Sequence, residues 1–203
     1  MGSNPIRAAF DEWTKGLDPF HSRIVLFEKV RDLAYAYPTS RDPVEVLRAS
    51  RGSCSGKHYL LGALYRELNL PARHMICSHR FNESPIGFPE QMQDMLRKNE
   101  IVDLHDYLQI DVNGTWVDVD ATWQVELRAF GFPVNEEWDG KTPMALSVVP
   151  DELTPVENDP ERQKEAMLAR LTPRQRTLRK QFLEALNAWV QELTAELQRD
   201  GDG

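Results

Sequence analysis

A thiol, an imidazole and a carboxylate occur in this chain in an order that can perform acyl transfer. Cys54 lies in Arg51-Gly52-Ser53-Cys54-Ser55-Gly56-Lys57-His58, a small-residue turn opening straight into an apolar run. His105 and Asp120 follow, on either side of an Asn113-Gly114 pair. A cysteine attacks carbonyls as its thiolate, and a neighbouring imidazole makes that anion and later returns a proton to the leaving group. A carboxylate behind the imidazole fixes its tautomer and orientation. Cys54, His105 and Asp120 are therefore the candidate catalytic residues.

The elements that must position them are written in the surrounding sequence. Leu60, Leu61, Leu64 and Leu68 recur near the helical period, which predicts a helix after Cys54 that buries one face. Cys54 then sits at or just inside a helix N-terminus, where unpaired N–H groups and the helix dipole favour an anion. Its own backbone N–H is a natural donor to an oxyanion, and Gly52 and Gly56 leave the turn uncluttered for a substrate carbonyl.

Asn-Gly is a strong two-residue hairpin signal, so 104–112 and 115–120 read as paired strands. With Val112 opposite Thr115, Tyr107 falls opposite Asp120. Side chains alternate faces along a strand. His105, Tyr107, Gln109, Asp118 and Asp120 thus share a polar face, while Leu104, Leu108, Ile110, Val117 and Val119 form a core face on which Asp106 is the exception. His105 and Asp120 become diagonal neighbours with Cα atoms roughly 7–8 Å apart, within reach of a hydrogen bond. Asp118 shares the face but falls opposite Gln109, which favours Asp120.

Asp18-Pro19, Asp42-Pro43, Asp159-Pro160 and Thr172-Pro173 each spell a helix start with proline at the first helical position. Further strands are expected at 73–79 and 144–149. Helix, then sheet, then helices reads as α+β. The connections 80–103 and 124–142 are long, either lids or surface decoration. Leu178, Phe182, Leu186, Trp189, Leu193 and Leu197 predict an amphipathic C-terminal helix packing on its own domain, with Arg174, Arg176, Arg179 and Lys180 as a solvated basic face.

The 203 residues are expected to form one domain, with a core over about 18–150 and a C-terminal helical extension over about 159–198. The net charge of −8 argues against nucleic acid as a partner. Two cysteines form no disulfide framework and suit a reducing compartment. With no apolar secretory stretch at the N-terminus and no run near the ~20 apolar residues of a membrane span, a cytoplasmic protein without a membrane partner is expected. Cys77 reads as core, and His58, His74 and His79 as packed or exposed. Cys54, His58, Cys77 and His79 match no usual zinc spacing, so no metal and no cofactor is expected.

Three blocks resemble the transglutaminase-like superfamily, within the papain-like fold group. Gly52-Ser53-Cys54-Ser55-Gly56 with Leu60-Leu61-Gly62-Ala63-Leu64-Tyr65-Arg66 resembles its nucleophile helix. Leu70-Pro71-Ala72-Arg73 is similar to its Gly-Ile-Pro-Ala-Arg turn into a strand. His105-Asp106-Tyr107 and Trp116-Val117-Asp118-Val119-Asp120-Ala121-Thr122 resemble its His-Ala-Trp and Trp-x-x-x-Asp-Pro-Thr blocks, with Asp106-Tyr107 where Ala-Trp is usual and Ala121 where Pro is usual. The resemblance covers about residues 51–123. It implies a nucleophile helix packed on an antiparallel sheet, with Cys54 as nucleophile, His105 as general base and acid, and Asp120 as orienting carboxylate. No acidic array implies calcium activation.

The expected activity is cysteine-dependent acyl transfer on an amide or thioester carbonyl through a thioester acyl-enzyme. The acyl donor would be a peptide, a protein or a small molecule. Water would make the enzyme a peptidase or amidase; an amine acceptor would make it a transamidase. The alternatives are an arylamine acetyltransferase-like or amide synthase acyltransferase, and a non-catalytic binding module on the same scaffold.

Overall fold

A computed structural model describes residues 4–201. Proline-headed helices form where the sequence places them. α1 (Pro5–Trp13) is a further proline-headed helix, capped by Asn4. α2 (Pro19–Arg31) is capped by Asp18, whose carboxylate accepts from the His21 N–H at 2.9 Å. β1 (Ala34–Tyr35) precedes α3 (Pro43–Ala49), where Asp42 accepts from the N–H groups of Val44 and Glu45. β2 (Arg51–Gly52) pairs in parallel with β1 and delivers the chain to α4 (Cys54–Glu67), capped by Ser53. These caps satisfy N–H groups that a helix start leaves unpaired.

A four-stranded antiparallel sheet follows, in the order β5-β4-β3-β6. β3 is Ala72–Arg80, β4 Val102–Val112, β5 Thr115–Val119 and β6 Pro150–Pro155. The β4–β5 register is the one the Asn113-Gly114 turn dictates: Val112 lies opposite Thr115 and Leu108 opposite Val119. Asn113 and Gly114 both take positive φ, at 55° and 85°, as a two-residue turn of this kind requires. The fourth strand corrects the sequence expectation. Residues 144–149 are irregular, and the edge strand is 150–155. Proline at both its ends and exposed Asp151 and Glu152 mask it, although an edge position tolerates them.

The long connections are ordered. Between β3 and β4 run a 3-10 turn (Phe81–Glu83) and α5 (Glu90–Lys98); after β5 comes a 3-10 segment (Val125–Phe130). α6 (Pro160–Ala169) and α7 (Pro173–Gly201) follow. Thr172 and Gln175 form a reciprocal cap at the start of α7. One core joins α2, α4 and the sheet through Phe27, Leu60, Leu64, Leu108, Ile110 and Val119. A second lies under α7 and is largely aromatic, with Phe81, Phe88, Trp123, Phe132, Phe182 and Leu186.

α4 departs from the one-sided burial its leucines imply. Every residue from Ser55 to Tyr65 is buried, because helices pack outside it and the sheet inside. Polar residues therefore had to find partners. Lys57 sends its ammonium to the carbonyls of Arg31, Leu33 and Thr122 at 2.7, 3.0 and 2.8 Å. Three acceptors use all three N–H bonds, which ties the end of α2 and the segment after β5 to the nucleophile helix. No helix among the described residues is long and apolar enough to cross a membrane.

Candidate active site

The three sequence-derived residues converge. Cys54 is the first residue of α4 and half-buried; His105 on β4 and Asp120 just past β5 are buried. The His105 Nε2 lies 2.8 Å from the Asp120 Oδ2. That leaves Nδ1 as the ring nitrogen for the thiol. Asp120 is held firmly: it accepts from the Thr122 N–H and Oγ1 at 3.0 and 2.6 Å and from the Ser147 N–H at 2.7 Å. Asp118 is occupied elsewhere, accepting from Gln109 Nε2 at 2.8 Å.

Electrostatics favour an ion pair. Burial pushes the Cys54 thiol up, but the charge of Lys164 and the hydrogen bond and charge of His105 outweigh it and set the thiol below its ordinary value. Burial pushes His105 down, yet Asp120 and Cys54 raise the imidazole well above its usual range. Burial likewise opposes ionisation of Asp120, and His105 overcomes it, holding the carboxyl far below the usual range. All three shifts run toward thiolate, imidazolium and carboxylate.

The hairpin face carrying His105 is polar in sequence but covered in the structure. Cys77 pairs with His105 and Met75 with Tyr107, and Leu146 and Val148 close over them. Cys77 is fully buried, its thiol pushed up to about 11 by burial, an inert partner for Cys54. His58 is packed: Nδ1 lies 2.8 Å from the Cys54 carbonyl, and Nε2 accepts from the Ala121 N–H at 2.9 Å. Those partners define a neutral ring, as does burial, which pushes it down to about 4. Gly56 serves packing rather than substrate access. A Cβ there would lie 2.9 Å from the Ser40 carbonyl oxygen and 3.0 Å from Val46.

A cavity of about 420 Å³ opens over the thiol, lined by Thr39, Arg41, Cys54, Asp103, Lys164 and Arg179 among others. A groove of about 470 Å³ between Arg80 and Glu100 shares no lining residue with it and contains no cysteine. The C-terminal helices thus wall the site, which corrects the reading of Arg179 as solvated. Its side chain is 15% exposed and pairs with Asp103. Lys164 and Ser55 are further site residues without a signature in sequence; Asp106 had one, as a carboxylate on an apolar strand face. Among the described residues no cluster of three or more His, Cys, Asp or Glu is arranged to hold a metal ion.

A thiol at a helix start, facing an imidazole on an antiparallel hairpin, is the architecture of papain-like α+β proteins. Residues 22–121, just under half of the chain, match the family model of the transglutaminase-like superfamily. No curated protein matches the chain. A crystal structure described as that of a candidate cysteine protease from Cytophaga hutchinsonii is similar at 20% identity, over 61% of this chain and 38% of that one, with a TM-score of 0.42. The chain thus spans under half the length of that protein.

Proposed function

We propose that the protein is a cysteine-dependent acyl-transfer enzyme acting on an amide or thioester carbonyl. The observation that carries this reading is the 2.8 Å contact between a buried imidazole and a buried carboxylate, beside a thiol at a helix N-terminus. The Cys54 sulfur adds to the carbonyl carbon, and the oxyanion takes a hydrogen bond from the Cys54 backbone N–H. The His105 imidazolium gives its proton to the departing nitrogen or sulfur as that bond breaks, leaving a thioester on Cys54. Water or an amine then adds to the thioester while His105 accepts its proton. Loss of the Cys54 sulfur regenerates the thiolate and releases an acid or a new amide. Asp120 holds the ring throughout.

The test is turnover of amide and thioester panels by wild type and Cys54→Ala, with the acyl-enzyme trapped and mapped by mass spectrometry. Acylation at Cys54, absent in a folded Cys54→Ala protein that no longer turns over, is the expected result. Full turnover by Cys54→Ala would refute the assignment.

A further inference from the structure

The family match stops at residue 121, but the walls of the cleft do not. α6 contributes Lys164, which is 2% exposed. Its ammonium donates to the Ser55 Oγ at 3.0 Å and to the Asp106 Oδ2, and the Ser55 hydroxyl donates to the same Asp106 oxygen at 2.6 Å. Ser55 follows Cys54 on α4, and Asp106 follows His105 on β4. Lys164 is therefore wedged between the element that carries the nucleophile and the element that carries the base. Two of its three N–H bonds are used by Ser55 and Asp106, and the side chain lines the same cavity as the thiol.

A buried ion pair adds little stability over an apolar pair of the same volume, because both charges must leave water. This one is built where it adjoins a reactive sulfur, and the Asp106 Oδ1 has no partner among the described residues. The other titratable and charged groups around the sulfur are accounted for. Lys57, which burial pushes down to about 7, gives its N–H bonds to three carbonyls; Arg41 pairs with Glu161 and Glu165, Asp103 with Arg179 and Asp120 with His105, and burial keeps His58 neutral. Tyr35 is pushed well up and Cys77 to about 11, both by burial, so neither carries charge; Tyr59 is likewise neutral, and burial pushes His79 down to about 4. His105, Lys164 and Asp106 are left to set the field at Cys54.

We propose that Lys164 is a positioning residue for the nucleophile, its ammonium anchored by Ser55 and Asp106 so that it holds the Cys54 sulfur as thiolate. This rests on the acyl-transfer reading of Cys54. The cation is supplied by the C-terminal extension, so the site's reactivity depends on a helix outside the family core. Of the two members of the pair, the lysine lowers the thiol and the aspartate raises it, with the lysine the stronger.

The pH profile of iodoacetamide alkylation, mapped to Cys54, tests this in wild type, Lys164→Met, the double variant Lys164→Met with Asp106→Asn, and His105→Ala. Lys164→Met strands a buried carboxylate and can cost the fold; the double variant removes both charges and keeps the comparison in a folded protein, judged by its melting curve. The expected result is a Cys54 midpoint raised by about one pH unit in Lys164→Met, with alkylation at neutral pH slowed about tenfold, and a smaller rise in the double variant, where the opposing carboxylate is gone as well. A folded double variant with the wild-type midpoint, beside a shifted His105→Ala, would overturn the role of Lys164 and leave the triad standing. Wild-type midpoints in all of them would overturn both.

Discussion

At the scale of single residues, the site depends on where protons rest. Asp120 makes three contacts besides His105, so it is fixed before the imidazole is. Asp120→Asn keeps much of that geometry but replaces an anion by a dipole. The imidazolium loses its main support, and the thiolate with it. The expected outcome is a fall in turnover of roughly a thousandfold, with the alkylation midpoint of Cys54 moved upward; turnover within about twofold of wild type would remove Asp120 from the mechanism. The convergence of Cys54, His105 and Asp120 was legible because the signals are local: a small-residue turn before an apolar helix, and a hairpin whose register a two-residue turn dictates. Lys164 was not legible. It stands in the polar run Arg162-Gln163-Lys164-Glu165, where nothing separates a buried ammonium from a solvated one. Asp106 could have pointed to it, since a carboxylate on a core face must meet a cation or a donor.

At the scale of elements, the nucleophile helix is the piece with least slack. Its first turn passes so close to Ser40 and Val46 that only glycine fits at position 56. Gly56→Ala is expected to shift the start of α4 and destabilise the protein by about 1–3 kcal/mol, as overpacking of a buried site does. Because Cys54 lies in that turn, activity should fall by more than the folded fraction does; chemical denaturation and active-site titration on one sample separate the two losses. Four helix starts were readable from Asp-Pro and Thr-Pro pairs, and three strands from their residue patterns. The fourth was placed one strand early. Met144 to Val149 has the apolar character of a strand but closes over the site as irregular chain, whereas the polar 150–155 found an edge with one neighbour only. Burial on every side of α4 was equally hidden, since it depends on what later elements lay against it.

At the scale of the whole molecule, buried histidines set the acid limit. Burial holds His58, His74 and His79 each down to about 4, against about 6.5 in an open chain. Between those values the unfolded chain binds protons that the folded protein excludes, so stability falls as pH drops from about 6.5 to about 4. His105 adds nothing there, being protonated in both states; its contribution is present below 6.5 and is lost as pH rises through its raised folded value. Urea unfolding near pH 5 is expected to take up about one to three protons per molecule. A flat profile from pH 6.5 to 4.5 would mean those rings are charged in the folded state. The same molecule is clasped across its length: the Tyr37 N–H donates to Asn187 at 2.8 Å, and Gln191 donates to the Tyr35 carbonyl at 2.9 Å, contacts spanning 150 and 156 positions. A chain is made from its N-terminus, so Cys54 emerges well before the α6 and α7 partners that enclose it. Until α7 arrives, Tyr35 lacks that clasp and the aromatic residues beneath the helix have no cover. Synthesis therefore imposes an order in time on this protein, in which the thiol is made early and its surroundings are completed late.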